Sequence, residues 1–137
     1  MVAPRVIKLD EKFGLFKEHW KPKIIAELNG SYVKAVKVKG EFIWHHHDTE
    51  DELFLVTKGR LTIKLKDRDL QLREGELVVI PRGMEHKPVA NEEVELLLLE
   101  PKTTLNTGTS ETREPRKQNG SDCSSVRDEA FSAGSIG

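Results

Sequence analysis

Between Lys23 and Pro101 the apolar residues come in short runs rather than at helical spacing: KIIAELNG, SYVKAVKVKG, ELFLVTKG, RLTIKLKD, DLQLREG, ELVVIPRG, HKPVAN and EVELLLLEP. Most are rich in Val, Ile and Leu and are bounded by Gly, Pro, Asn or Asp, the pattern of strands closed by turns. RLTIKLK alternates cleanly, with Leu61, Ile63 and Leu65 on one face and Thr62, Lys64 and Lys66 on the other, as a sheet covered on one side requires. The run Leu96–Leu99 is apolar on both faces, so its strand lies between layers or turns an outer face to a second subunit; we expect the second. Many short strands at near-regular spacing predict an all-β sandwich or barrel.

The ends of the chain read differently. LDEKFGLFKEHW has an acidic start and places Phe13, Phe16 and Trp20 three and four residues apart, which predicts a short helix or irregular turn before Pro22. From Lys102 to Gly137 the chain is rich in Thr, Ser, Gly and Asn, and only Leu105, Val126, Phe131 and Ile136 are sizeable apolar residues. So few cannot offset the entropy of ordering the segment, so a mostly disordered tail is expected, with TTLNTG able to dock on the body. A short partner-binding helix over residues 126–131 is the weaker alternative. The expected organisation is an N-terminal arm (1–22), a β-barrel (23–101) and a tail (102–137).

A chain of 137 residues suffices for one domain with a single core. Its 22 basic and 23 acidic residues give a net charge of -1, which offers no electrostatic argument for nucleic acid or an anionic membrane. No uninterrupted apolar run exceeds four residues, far short of the roughly 18 that span a bilayer. Cys123 is the sole cysteine, and no apolar run follows a basic start, so a cytoplasmic location is expected.

The candidate chemistry sits in WHHHDTEDELF, residues 44–54. In a strand His45 and His47 project to one side and His46 to the other. Glu52 opens the next strand after the polar DTED, and a hairpin there brings its carboxylate back beside the two histidines. Downstream, GELVVIPRGMEH adds a Pro-x-Gly turn followed by His86, a fourth potential ligand. Three imidazole nitrogens and a carboxylate oxygen suit manganese, iron, nickel, cobalt, copper or zinc, and are too nitrogen-rich for calcium or magnesium. The competing reading is a polar loop that collects His, Asp and Glu without binding anything.

These segments resemble a known family. GEFIWHHHDTEDELFLVTKG is similar to the first cupin motif, a glycine, HxH, a glutamate and a glycine, and GELVVIPRGMEHKPVAN resembles the second, GxxxxxPxGxxH with a later asparagine. The resemblance implies a small jelly-roll β-barrel over about residues 23–101, with a divalent transition metal held by His45, His47, Glu52 and His86. Two spacings depart from the pattern. Gly40 stands one residue closer to His45 than is common, which leaves His46 with Asp48 as a wrong-register alternative, and Asn91 lies one residue beyond its usual offset. Gly59 is expected at positive φ in a tight hairpin, Gly75 and Gly83 in similar turns, and Pro81 as the strand end that aims His86.

Face alternation puts Ile43, Phe54, Val56 and either Leu77 or Val78 around the metal, a mostly apolar cavity with one charged centre. Candidates near its mouth are Glu41, Glu50, Asp51, Arg82, Met84 and Glu85. Arg82 is a candidate anion clamp but is more often solvated in such a turn. Glu85 is a candidate base, although alternation points it outward. Trp44 is expected to pack in the core or an interface rather than on substrate. No nucleophile stands out, which disfavours covalent catalysis.

Because cupins include dioxygenases, isomerases, lyases and simple binders, the fold leaves the reaction open. The first expectation is a metal-dependent oxygenase or isomerase, in the manner of a mannose-6-phosphate-isomerase-like cupin, acting on a small polar metabolite. The second is a non-catalytic module that binds or senses a metal or small ligand. A homodimer is expected, with a small molecule as ligand and neither nucleic acid nor membrane as partner.

Overall fold

HKPVAN and EVELLLLEP, expected as two strands, form one 16-residue strand, β8 (His86–Pro101). The computed structural model describes residues 3–105 and 107–110. A five-residue helix, α1 (Leu9–Phe13), comes first. Then follow β1 (Lys23–Leu28), β2 (Ser31–Glu41), β3 (His45–His46), β4 (Glu52–Lys58), β5 (Leu61–Leu65), β6 (Asp69–Leu72), β7 (Leu77–Ile80), β8 and β9 (Thr109–Ser110). The strands pair antiparallel into a jelly-roll barrel, an all-β architecture as expected, with β8 at its centre.

The length of β8 lets it serve both halves of the barrel. Val94–Pro101 runs between β2 and β4, whereas His86–Val89 runs beside β5, and His45 of β3 pairs with His86. Between these stretches Asn91, Glu92 and Glu93 are exposed, and the register with β2 shifts between Val38 and Gly40. That irregularity turns the strand without breaking it. Gly40 takes up the distortion at φ 87°, one residue before β2 ends.

Alternation sorts the side chains as expected. Leu61, Ile63 and Leu65 point inward with Phe54, Val56, Leu96 and Leu98, and all are buried. Each such side chain contributes about 1.5–3 kcal/mol relative to leaving it in water. On the other side Leu53, Leu55, Leu97 and Leu99 are half-buried, and beside them Leu77 and Val79 of β7 remain 56% and 49% exposed. Register places Val79 opposite Leu53 and Leu53 opposite Leu99, so one apolar sheet face runs across β7, β4 and β8.

Gly59 has positive φ (95°), but it does not close a hairpin, because β4 and β5 pair with β8 rather than with each other. It carries the chain across the corner of β8, where an added Cβ would lie 3.0 Å from the carbonyl oxygen of Glu93. The N-terminal helix is shorter than the Phe13–Trp20 spacing suggests. It ends at Phe13, which is buried, and α1 packs on β2. Lys37 reinforces this by donating a hydrogen bond from Nζ to the carbonyl of Phe16, 3.0 Å away. Among the described residues no helix is long and apolar enough to cross a membrane.

Part of TTLNTG docks on the body, although Leu105 is exposed. Thr104 is buried, and β9 beyond it pairs with β3, setting Ser110 opposite His45 and Thr109 opposite His46. The expected disorder of the remaining tail and the alternative helix over residues 126–131 lie outside the described residues.

Candidate metal centre

Four side chains converge inside the barrel from three elements. His45 and His47 come from β3 and the residue after it, Glu52 opens β4 and His86 opens β8. Each offers a ligand atom within 4.8 Å of the others. Exposures of 2%, 4%, 6% and 1% for His45, His47, Glu52 and His86 bury the cluster. A histidine-rich surface loop would not be buried in this way.

The route of Glu52 to the cluster differs from expectation. β3 and β4 do not pair, so no hairpin returns the carboxylate. The DTED segment instead crosses between the two halves, and the turn at Pro81–Gly83 anchors it. Gly83 donates its N–H to the carbonyl of His47 (2.8 Å), and Arg82 binds Asp51 through its backbone N–H (2.9 Å) and its guanidinium (3.3 Å). The same turn closes through Met84 N–H to Pro81 O and leads into His86. One turn thereby positions ligands from two motifs.

Hydrogen bonds define the ring orientations. His45 Nδ1 donates to the carbonyl of Ile43 at 2.9 Å, and His86 Nδ1 donates to that of Met84 at 2.8 Å. A carbonyl only accepts, so these nitrogens carry the protons and the two Nε2 atoms keep lone pairs. Carbonyl-anchored imidazoles of this kind are the usual support of a metal-binding histidine. His47 Nε2 lies 3.2 Å and His86 Nε2 3.6 Å from Glu52 Oε1. All three atoms are buried and lack a geometrically sound hydrogen bond among the described residues. Buried polar atoms without partners are costly and scarce in folded proteins, and a cation among them would satisfy all of them.

The electrostatics agree. Burial, reinforced by the adjacent His86, pushes His45 down to about 3, which keeps it neutral. Burial also opposes charge on His47, but the Glu52 carboxylate 3.2 Å away outweighs burial and raises it. Burial likewise opposes charge on Glu52, yet His47, His86 and Glu100 together hold it well below the usual carboxylate range.

Glu100 was not among the sequence candidates. It is 2% exposed, and burial, then the charge of Glu52, pushes it up to about 8 against the pull of Lys34. Lys34 Nζ binds its Oε2 at 2.6 Å. Alternation carried the signal: Glu100 is in phase with Leu96 and Leu98, and Lys34 with Val36 and Val38, so both face inward.

His46 points away from the cluster, which disposes of the wrong-register alternative. Its Nδ1 meets Glu85 Oε2 at 2.9 Å and its Nε2 meets Asp48 Oδ1 at 2.8 Å. Glu85 is therefore engaged on the outer side. Glu41 pairs with Lys87, Glu50 accepts from Thr103, and Met84 and Asn91 are exposed. Trp44 lies half-buried under the ammonium of Lys66, 4.1 Å from the ring centre, rather than in the core.

A cavity of about 30 Å³ opens beside His45 and Glu52. Phe54 lines it as expected. Ile43, Val56, Leu77 and Val78 do not: Val56 lies in the core, Val78 packs against that core and Leu77 faces outward. Their places are taken by residues the local pattern did not single out, chiefly Trp20, Phe42 and Pro88. Pro88 was legible by alternation from His86, whereas Trp20 depends on the path of the arm.

An antiparallel jelly roll with an inward cluster of three histidines and a glutamate defines a class of small protein whose interior suits a divalent cation. The family model described as the cupin domain matches residues 32–100, half of the chain, and the chain belongs to that family. A cupin-2 domain containing protein from Shewanella frigidimarina NCIMB 400 is 48% identical, with a TM-score of 0.70 over 71% of this chain and 95% of that one. Protein NMB1881 from Neisseria meningitidis is 28% identical, with a TM-score of 0.65 over 72% of this chain and the whole of that one. The uncharacterized protein YdbB of Bacillus subtilis (strain 168) is 39% identical over 64 residues, which span 46% of this chain and 57% of that relative's length.

Proposed function

We propose that the protein is a metal-dependent cupin whose ligands are His45, His47, Glu52 and His86, and that it acts on a small metabolite as an oxygenase or isomerase in the cytoplasm. The observation that carries this reading is the convergence of buried donor atoms, three of them without partners among the described residues. A divalent transition metal bound there supplies Lewis-acid activation or, if redox-active, oxygen chemistry. The chain's own part is to neutralise part of the charge through Glu52, hold the imidazoles by their Nδ1–H bonds and exclude water with apolar walls. The set suits manganese, iron, nickel, cobalt, copper or zinc.

One observation favours a second reading, a module that binds a ligand or metal without turnover. Among the described residues lining the cavity, the only titratable side chains are His45 and Glu52, both in the cluster, so no separate acid or base faces a bound molecule. We also propose a homodimer, formed through the outer face of Leu53, Leu55, Leu97 and Leu99. That face is apolar across neighbouring strands, and a two-fold axis would bury it against itself.

Elemental analysis of tag-free protein purified without added metal tests the main reading. About one equivalent of a transition metal is expected in the native chain and almost none in folded His47→Ala and His86→Ala. A native protein that holds no metal even after reconstitution sinks the proposal.

A further inference from the structure

The N-terminal arm does more than cover the sheet. It delivers Trp20 to the mouth of the cavity, where the indole stacks on Phe42 with ring centres 4.9 Å apart and planes inclined by 16°. Its backbone N–H donates to Lys37 O at 2.8 Å, and its indole N–H donates to Lys39 O at 2.9 Å. Next to it His19 Nε2 meets Glu93 Oε2 at 2.8 Å. These bonds hold Trp20 at φ 64°, the left-handed region that a bulky side chain rarely enters. Such conformations persist only where surrounding contacts impose them, and they concentrate at ligand clamps. The indole N–H is committed to a carbonyl, so Trp20 presents hydrocarbon to the cavity.

The other walls have the same character. Phe42, Phe54, Pro88 and Leu98 face the space, and its polar groups belong to His45 and Glu52. No lysine or arginine lines it among the described residues. Other cations of the barrel pair with carboxylates: Lys34 with Glu100, Lys87 with Glu41 and Arg82 with Asp51. A phosphate entering here would exchange water for hydrocarbon with no cation from the chain to receive it, an arrangement proteins avoid. With Trp20 in place the space beside the cluster is about 30 Å³, enough for the head of a small ligand.

We propose that the cavity binds a small chelating molecule with a hydrocarbon flank, and not a sugar phosphate, and that Trp20 is the specificity-determining residue that limits its size. The proposal rests on the metal-centre reading: the polar head of the ligand meets the metal, and the remainder meets Trp20 and Phe42.

The test uses the full chain loaded with cobalt(II), whose visible bands report ligation, in wild type, Trp20→Ala and Trp20→Phe. The probes are acetohydroxamate, benzohydroxamate, inorganic phosphate and glucose 6-phosphate. Acetohydroxamate is expected to shift the bands of the wild type, and the two phosphates at the same concentration to leave them unchanged. Benzohydroxamate, whose ring competes with Trp20 for space, is expected to bind Trp20→Ala about tenfold more tightly than wild type, with Trp20→Phe close to wild type. Phosphate or glucose 6-phosphate binding as well as acetohydroxamate overturns the ligand class. Equal benzohydroxamate affinity in all three chains overturns the role of Trp20. If Trp20→Ala does not fold, Phe42→Ala opens the same wall and carries the comparison. Failure of the metal reading looks different, since a chain that retains no cobalt shows no bands before any probe is added; the proposal then falls with it.

Discussion

His47 and Glu52 tie the protonation of the empty site to its affinity for metal. His47 titrates above its ordinary 6.5, so in the metal-free protein its contribution to stability is complete below that value and is lost as pH rises through the raised one. Glu52 titrates below its ordinary 4.5, so its contribution is complete above that value and is lost as pH falls. The pair therefore supports the metal-free fold best between 4.5 and 6.5. A metal must displace the proton on His47. Apparent affinity should accordingly rise with pH by about tenfold per unit until His47 is neutral, measured by competition against a chelator of known affinity. Glu52→Gln removes the charge that holds the proton and should flatten this dependence while weakening binding at every pH.

At the scale of elements, the unusual feature is how little of β3 there is. Two residues of strand carry one ligand and adjoin another, and the strand is held by β8 on one side and β9 on the other. Gly108 makes the second contact possible. Its φ is 51°, and an added Cβ would collide with the carbonyl oxygen of His46 and sit 2.8 Å from His47 Nδ1. Any side chain there must push β9 off β3. Gly108→Ala is expected to cost about 1–3 kcal/mol of stability and to lower metal affinity about tenfold, because the support of a ligand is lost while the ligands stay. Parallel denaturant unfolding and metal titration check both, and unchanged affinity would show that β8 alone positions the histidines. Ile63 and Leu65 of β5 were placed correctly by alternation, because a half-covered sheet writes its geometry into period two. The pairing of β4 was not, since period two assigns faces and says nothing about which strand lies alongside.

For the whole molecule, the barrel has two apolar surfaces with different fates. The inner one closes around the cluster, and the outer one crosses β7, β4 and β8. Leu97 sits in the middle of the outer face, opposite Ala35 of β2 and Leu55 of β4. Leu97→Lys is expected to convert the homodimer to monomer in light scattering, with metal content retained, because the substitution charges the outer face and leaves the inner one intact. A native chain that is monomeric at all concentrations would refute the dimer.

The sequence by itself determined the all-β class, the inward faces of the strands and the His45, His47, Glu52 and His86 set, because alternation and turn residues are local and survive in the order of the residues. Only the tertiary structure decided that Glu52 arrives from across the barrel rather than through a hairpin, that Glu100 stands behind it, and that Trp20 lines the cavity. Each of these depends on contacts between residues distant along the chain, 48 positions apart for Glu52 and Glu100 and 22 for Trp20 and Phe42. Their closeness is set by the path of the backbone, which no local periodicity encodes.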